Sequence, residues 1–303
     1  MPRTIEAPWL KVPFSDGTAP PQTALPAGAC DCHVHVYDAR FPATPDARLL
    51  PPDASVDDYR LLQRRIGTGR VVLVTPSTYG IDNRCMLAGL AALGDTARGV
   101  AVLDETVSDE ALQTLHALGV RGIRFNLSLG AHPPAGSLRP MAERIAPLGW
   151  HLQLLAPPDT LLALAPVLRD LPVALVFDHL GRIAPADAGR HAAHALVLDL
   201  LRKGRAWVKL SGGYIVSATH RADDAALDAL ARSYLEAAPH RVVWGSDWPH
   251  ATASAGRHPM PDDAVQVDAL ARWCGDEATL RRVLVDNPVA LYGFTPVRPA
   301  SLS

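Results

Sequence analysis

The chain has 303 residues, of which 48% are hydrophobic and 20% are charged, and its formal net charge is -2. This composition supplies a large apolar core and excludes an intrinsically disordered protein. The small net charge, without a run of Lys or Arg, provides no field that would gather nucleic acid or anionic lipid, so we expect neither as a partner.

The first 28 residues differ from the rest because they carry six prolines and show little periodicity. This pattern predicts an irregular N-terminal arm, residues 1–28. The arm has no apolar core of signal-peptide length, and no apolar stretch elsewhere approaches the roughly 20 residues that cross a bilayer. We therefore expect a cytoplasmic protein, whose four cysteines are reduced thiols.

From residue 29 onward, short apolar runs rich in Val, Ile and Leu alternate with segments of helical pattern. The eight runs are ACDCHVHV (29–36), RVVLVTP (70–76), GVAVLD (99–104), GIRFNL (122–127), WHLQLLA (150–156), VALVFDHL (173–180), AWVKLSG (206–212) and RVVWGSDW (241–248). Such alternation is typical of βα units and a parallel sheet. We predict one domain, residues 29–303, folded as a (β/α)₈ TIM barrel with closing helices after the last run.

A barrel of this kind carries its active site at the C-terminal ends of its strands. Unusual polar residues do fall late in the runs or just after them: His33, His35, Ser77, Asp104, Arg124, Asn126, His179, Ser211 and Asp247. An open doubly wound sheet uses the same βα pattern and stays an alternative. It is disfavoured because the first βα turn lacks a Gly-rich phosphate loop.

The first run contains two histidines separated by one residue. Strand periodicity predicts that Asp31, His33 and His35 share the face that points into the barrel, and that Cys30 and Cys32 point outward. Two imidazoles on one face can bind one metal ion or polarise one carbonyl group. The cysteines are predicted to pack as small apolar residues under the helices, which we prefer to a Cys-x-Cys zinc site.

Three imidazoles and one carboxylate should meet at the mouth of the barrel. His179 ends the sixth run and Asp247 ends the eighth, so both would join His33 and His35. Since buried ionisable groups are costly without partners, we interpret this set as catalytic rather than structural. Asp247 is the predicted proton-transfer residue, because a carboxylate beside imidazoles can take a proton from an attacking water.

The motifs HVHVYD, DHLGR and VVWGSDWPH, in this order, resemble the amidohydrolase superfamily. The resemblance is to the branch of 2-pyrone-4,6-dicarboxylate lactonase, with related sugar lactonases and lactone isomerases, and it spans about residues 29–294. It implies hydrolysis of a lactone or similar ester, with Asp247 as general base and the histidines polarising the carbonyl. The substrate expected is a small carboxylated lactone from aromatic or sugar-acid catabolism.

Further residues are candidates for substrate binding. Arg124 and Asn126 share an inward face, where a guanidinium could bind a carboxylate in bidentate fashion or form a salt bridge within the barrel. Ser77, Arg182 and Tyr214 follow strand ends, where loop residues either contact ligands or stabilise the loop. The resemblance also implies that Arg124, Ser77 and Arg182 face the ligand.

The chain departs from this branch at three positions that contact the acidic substrate. Gly130 stands near the place of a second Arg, Leu49 or Leu50 replaces a Tyr, and Leu155 or a neighbour replaces an aromatic residue on the fifth strand. These departures favour a less acidic or more apolar lactone than a pyrone dicarboxylate. Lys209 is predicted to point inward and to neutralise buried carboxylates.

The sequence leaves the need for a metal open. A binuclear centre is disfavoured because the fifth run offers Gln153 and the seventh offers Lys209 without a His. One zinc ion could bind to His33, His35, His179 and Asp247. The resemblance implies metal-independent catalysis, and we favour no cofactor.

Three other functions remain. A lactone isomerase would use the same pocket without net hydrolysis, and a mononuclear-zinc decarboxylase would release carbon dioxide. A barrel that only binds ligands is disfavoured, because the four central residues are all present. The sequence permits a homo-oligomer but does not predict one.

Overall fold

The structure, a computed structural model, describes residues 11–128 and 133–296. Eight parallel strands form its centre, and each pairs with the next in the order β1 to β8. The strands are β1 Cys30–Val34, β2 Arg70–Val74, β3 Ala97–Ala101, β4 Val120–Asn126, β5 His151–Leu155, β6 Leu175–Phe177, β7 Ala206–Leu210 and β8 Val242–Trp244.

The last strand returns to the first through the residues that follow it. The amide of Asp247 donates to the carbonyl of His33 over 2.9 Å, and the amide of His35 donates to the carbonyl of Trp248 over 2.8 Å. These bonds close the sheet at its C-terminal end. The predicted (β/α)₈ TIM barrel is therefore confirmed.

Helices surround the barrel. They are α1 Val56–Ile66, α2 Arg84–Leu93, α3 Asp109–Ala117, α4 Leu138–Ile145, α5 Pro158–Ala163, α6 Ala165–Asp170, α7 Ala192–Arg202, α8 Gly213–Val216, α9 Leu227–Ala237, α10 Ala251–Ser254, α11 Asp263–Cys274, α12 Glu277–Arg281 and α13 Asn287–Tyr292. The first begins at a capping box, in which the side chains of Ser55 and Asp58 each accept a hydrogen bond from the other's backbone amide. Among the described residues, no helix has the length and apolar character of a membrane span.

Several strands are shorter than the apolar runs that predicted them. The sixth run covers residues 173–180, but only Leu175–Phe177 are in the strand, and the eighth strand ends at Trp244. The polar ends of both runs, which include His179 and Asp247, therefore belong to loops at the mouth.

The barrel interior holds an apolar cluster at its N-terminal end. Its members are Cys30, Cys32, Val72, Val74, Val100, Val176, Trp207, Val243, Tyr292 and Phe294. The alternate residues of β2, Val71 and Leu73, instead join the larger layer between strands and helices. The barrel is thus a packed core at this end, as the fold requires.

The predicted facing of the first strand is wrong for three residues. The pairing of β1 with β2 changes register between Asp31 and Val34, so a bulge interrupts the alternation. Cys30 and Cys32 consequently lie in the interior cluster instead of under the helices. Asp31 faces outward, where it accepts a hydrogen bond from Tyr59 of α1.

The described part of the arm, residues 11–28, contains neither helix nor strand. It packs behind the mouth, where the indole of Trp248 donates to the carbonyl of Pro13 and the ring of Phe14 lies edge-on to that indole. Residues 1–10 and 297–303 lie outside the described residues. The division into an arm of residues 1–28 and a domain of residues 29–303 stays a prediction.

Candidate active site

The bulge in β1 turns both histidines of the first run into the barrel. His33 and His35 lie with their Nε2 atoms 3.3 Å apart. The residue that passes directly beside His33 is Gly245, and a Cβ there would lie 2.6 Å from the Cβ of His33. Glycine at this position allows the end of β8 to approach the histidine pair.

Left-handed backbone turns present the other two predicted catalytic residues. His179 has a φ of 49° and Asp247 a φ of 69°, which few residues other than glycine adopt. Opposite His179 stands Gly212, where a Cβ would lie 2.7 Å from the imidazole Nδ1. Both turns follow short strands, so they bring His179 and Asp247 over the barrel axis.

The four predicted catalytic residues meet at one carboxylate oxygen. The Nε2 atoms of His33, His179 and His35 lie 3.6, 3.7 and 3.9 Å from Oδ1 of Asp247. The second oxygen, Oδ2, accepts a 2.6 Å hydrogen bond from the hydroxyl of Tyr214. One carboxylate oxygen therefore faces the imidazoles while a buried hydroxyl holds the other.

In this cluster the carboxylate and the imidazole rings differ in their expected charge: Asp247 is ionised and the imidazoles are neutral. Burial alone would raise the pKa of Asp247, but the facing imidazoles of His179, His33 and His35 outweigh it and lower that pKa. Burial lowers the pKa of His35 to about 4, with a contribution from the charge of Arg124. Burial also lowers the pKa of His33 and that of His179. At neutral pH the site holds an ionised carboxylate among uncharged imidazoles.

A buried carboxylate lies beneath the histidines. Oδ2 of Asp178 accepts hydrogen bonds from Arg124 Nε and Gln153 Nε2 over 3.2 and 3.0 Å. Oδ1 lies 3.6 Å from Lys209 Nζ and 3.3 Å from His33 Nδ1. Burial would raise the pKa of Asp178, yet its contacts with His33, Lys209 and Arg124 lower it well below its usual range.

Most of the predicted site residues line one cavity of about 690 Å³. They are His35, Ser77, Arg124, Asn126, His179, Arg182 and Asp247. The amide of Asn126 donates to the hydroxyl of Ser77 over 2.7 Å, so these two form one polar wall. Arg124 both lines the cavity and pairs with Asp178, which combines the two interpretations of that residue.

Two predicted residues lie behind the cavity wall. His33 is fully buried and contributes to the cluster through its contacts with His35 and Asp247. Tyr214 is also fully buried, and its hydroxyl contacts Asp247 instead of the cavity. Tyr214 was expected to contact the ligand, but the structure places it where it orients the carboxylate.

The sequence did not single out Asp178 or four other residues of the mouth. Asp178 stands next to His179 in the DHLGR motif, and that adjacency was its only signal. Tyr37, Arg48, Arg257 and His258 also line the cavity. They come from loops that are distant in sequence, and no periodic pattern marks them.

Two of the three positions at which the chain departs from this branch lie in the described residues. Leu49 and Leu155 line the cavity, whereas the side chain of Leu50 is exposed. The wall therefore has apolar patches at those two positions. Gly130 lies outside the described residues.

Among the described residues, two groups of side chains could hold a metal ion. Ligand atoms of His33, His35 and Asp247 lie within 4.8 Å of one another, and so do those of His33, Asp178 and His179. Imidazole and carboxylate ligands suit one zinc ion. By ligand type, the predicted mononuclear alternative fits this site.

Comparison with known proteins gives a consistent result. The family model described as Amidohydrolase matches residues 30–294. The chain is 36% identical to the 2-pyrone-4,6-dicarboxylate hydrolase of Comamonas testosteroni, over 90% of this chain and 92% of the relative. It is 32% identical to the D-galactarolactone isomerase of Agrobacterium fabrum, over 93% of this chain and 96% of the relative. A crystal structure of an Agrobacterium tumefaciens protein in its apo form superposes with a TM-score of 0.82 at 31% identity, covering 91% of this chain and all of that one.

Proposed function

This chain belongs to the amidohydrolase family, and we propose that it opens the ring of a small carboxylated lactone by hydrolysis, in aromatic or sugar-acid catabolism. One of the relatives described above is named for a 2-pyrone, which is a cyclic ester, and the other is named for a lactone. The proposal transfers that substrate class to this chain. A cytoplasmic location stays a prediction from the sequence, which permits a homo-oligomer without predicting one.

The observation that carries the proposal is the convergence of three imidazoles on Oδ1 of Asp247. An ionised carboxylate that is held by Tyr214 on one side and exposed to the cavity on the other is suited to be a general base. The uncharged imidazole of His179, which lines the cavity, can donate a hydrogen bond to a carbonyl oxygen on which negative charge develops. The cluster thus supplies a base and an electrophile within one pocket.

The reaction proceeds in two proton-coupled steps. Asp247 removes a proton from a water molecule while the water oxygen forms a bond to the lactone carbonyl carbon. A hydrogen bond from the imidazole of His179, which lines the cavity, stabilises the resulting oxyanion. The bond between that carbon and the ring oxygen then breaks, and the protonated Asp247 returns its proton to the departing oxygen. The product is an open-chain hydroxy acid, so one water is consumed.

Recognition of the substrate uses the polar and apolar parts of the wall. We assign Arg124 to a substrate carboxylate, because its guanidinium lines the cavity and is anchored through Nε on Asp178. Ser77 and Asn126 offer hydrogen bonds beside it, and Arg182 lines the cavity on the His179 side. Leu49 and Leu155 favour an apolar ring face against them.

The reaction needs no step at a metal ion. If one zinc ion were bound by His33, His35 and Asp247, it would polarise the carbonyl and lower the pKa of a bound water. Asp247 and the imidazoles provide both functions directly. We therefore propose metal-independent catalysis with no cofactor.

A lactone isomerase is the second candidate, because one relative carries that name at 32% identity. Isomerisation would transfer the acyl group to another hydroxyl of the same substrate, and Asp247 would accept the proton of that hydroxyl. The two reactions differ in water uptake. Turnover in water enriched in ¹⁸O places the label in the product carboxylate for hydrolysis and leaves an isomerised lactone unlabelled.

The test is a hydrolysis assay on a panel of carboxylated and uncharged lactones, with the Asp247→Asn variant. Because Asn cannot accept the proton, we expect kcat to fall by about 10²- to 10⁴-fold with the melting temperature nearly unchanged. Asp46→Asn is the matched control, since Asp46 lines the same cavity and is exposed. Turnover of Asp247→Asn at the wild-type rate would exclude Asp247 as the base.

A further inference from the structure

Lys209 is a buried charge that the proposed reaction does not use. It lies on β7 with its side chain fully buried. Its Nζ donates to Gln153 Oε1 over 2.7 Å and lies 3.3 Å from His33 Nδ1 within hydrogen-bonding geometry. An ammonium group has donors and no acceptor, so Nδ1 of His33 must be the acceptor in this contact. That nitrogen therefore carries no hydrogen.

The opposite end of the histidine pair gives the same result independently. Nδ1 of His35 lies 2.7 Å from the carbonyl oxygen of Val74, which can only accept. His35 therefore carries its hydrogen on Nδ1 and has a lone pair on Nε2. Because the Nε2 atoms of His33 and His35 are 3.3 Å apart, the hydrogen between them must belong to His33. Both neighbours place the hydrogen of His33 on Nε2.

Asp178 offers the competing arrangement. Its Oδ1 lies 3.3 Å from Nδ1 of His33, and a hydrogen on Nδ1 could be donated to it. That tautomer would leave Nε2 of His33 free as a metal ligand, in the carboxylate–histidine pairing that supports many zinc sites. However, this oxygen also lies 3.6 Å from Nζ of Lys209, whose positive charge compensates it without a hydrogen from His33, and Oδ2 accepts from Arg124 and Gln153.

We propose that Lys209 is a positioning residue that holds His33 in the tautomer with hydrogen on Nε2. In this state His33 donates from Nε2 to Nε2 of His35 and cannot ligate zinc through that nitrogen. The catalytic consequence depends on the hydrolase function proposed above. The effect on the tautomer and on zinc binding does not.

Gln153 fixes Lys209 in this position. Its Oε1 accepts from Nζ and its Nε2 donates to Asp178, so one amide orients both charges beneath His33. The ammonium and the carboxylate are thus held beside the same imidazole nitrogen. Removal of the ammonium leaves Asp178 as the remaining polar neighbour of Nδ1, and the hydrogen should move to that nitrogen.

The direct test is ¹⁵N NMR of histidine-labelled protein, which distinguishes protonated from unprotonated ring nitrogens. The His33 signals are identified by their loss in His33→Asn. We expect Nε2 protonated and Nδ1 unprotonated in the wild type, and the reverse in Lys209→Met. Lys203→Met, which removes an exposed lysine paired with Asp199, is the control and should leave the His33 signals unchanged. A wild-type His33 with its hydrogen on Nδ1 would overturn the proposal, and this measurement needs no variant of Lys209.

Zinc binding provides a second readout that is independent of substrate. In equilibrium dialysis against zinc chloride, we expect Lys209→Met to bind zinc about 10-fold or more tightly than the wild type, because an outer partner of a ligating histidine changes affinity on that scale. Lys203→Met should match the wild type. Tight stoichiometric zinc in the wild type, unchanged by Lys209→Met, would contradict the assigned tautomer.

The kinetic readout separates positioning from general destabilisation. With a lactone that the wild type hydrolyses, Lys209→Met should lower kcat by up to about 10-fold while KM changes little, because His35 loses the hydrogen bond from His33 that orients it beside Asp247. If Lys209→Met lowered kcat and raised KM to a similar extent while the tautomer of His33 stayed unaltered, Lys209 would have only a structural role. If no lactone is hydrolysed by the wild type, the NMR and dialysis results still test the tautomer.

Discussion

The two halves of the barrel interior are built by the same strands from opposite kinds of side chain. The N-terminal (lower) half is filled by an apolar cluster that includes Val72, Val176 and Trp207. The C-terminal (upper) half holds the charged side chains of Asp178 and Lys209, which are both fully buried. In β7, Trp207 belongs to the first half and Lys209, two residues later, to the second.

This contrast shows how the fold tolerates a costly site. A buried charge is stable only if partners compensate for the loss of hydration. In the upper half the carboxylate of Asp178 is paired with both Arg124 and Lys209. The lower half requires no pairing, because close apolar packing stabilises it. Substitutions in the two halves should therefore differ in which property they change.

The largest expected effect on stability is that of Asp178→Ala. It leaves Lys209 and Arg124 buried without their shared carboxylate, so we expect a loss of about 3–5 kcal/mol in the free energy of unfolding. Urea denaturation measures the change. Asp170→Ala, an exposed carboxylate on α6, is the control and should stay within about 0.5 kcal/mol of the wild type. An equally small loss in Asp178→Ala would mean that pairing is not what stabilises the upper half.

Val176→Ala tests the lower half. Deleting two buried methyl groups from the interior cluster should cost roughly 2 kcal/mol of unfolding free energy, since the cavity cannot fully collapse. The kcat on any lactone substrate should remain at the wild-type value. Val167→Ala on α6, where the side chain is half-buried, should cost less. A marked fall in kcat for Val176→Ala would show that the halves are coupled.

The sequence predicted the barrel and much of its mouth because both depend on repeated local patterns. Apolar runs and caps mark βα units, and polar residues at the ends of runs mark the site. It failed at the bulge after Asp31, where one extra residue reverses the facing of Cys30 and Cys32. A bulge depends on pairing with the neighbouring strand, and period-two reasoning cannot detect it.

The roles of individual side chains were also beyond the sequence. Asp178 was overlooked because the period of a strand says nothing about the loop that follows Phe177. Tyr214 was correctly placed near the mouth, but its contact with Asp247 depends on the turn after β7 and on the left-handed backbone of Asp247. Such contacts between loops arise from three-dimensional packing.

The smallest expected effect compares one tyrosine from each half. Tyr214→Phe removes the hydroxyl that holds Asp247, and a hydrogen bond to a charged group is worth about 1.5–3 kcal/mol. We expect kcat to fall about 10-fold or somewhat more by the same principle, with KM and the melting temperature little changed. Because that bond favours the ionised carboxylate, its loss should raise the pKa of Asp247 and move the acid limb of the pH–rate profile to higher pH.

Tyr292→Phe is the matched change at the other end of the barrel. The hydroxyl of Tyr292 is buried in the lower half and has no hydrogen-bond partner among the described residues. Its removal should leave kcat and the pH–rate profile unchanged and should not lower the melting temperature, because no bond is lost. If both variants shifted the pH–rate profile alike, the pKa of Asp247 would depend on the packing of the whole barrel and not on the Tyr214 hydroxyl. A shift confined to Tyr214→Phe would assign the orientation of Asp247 to that one hydroxyl.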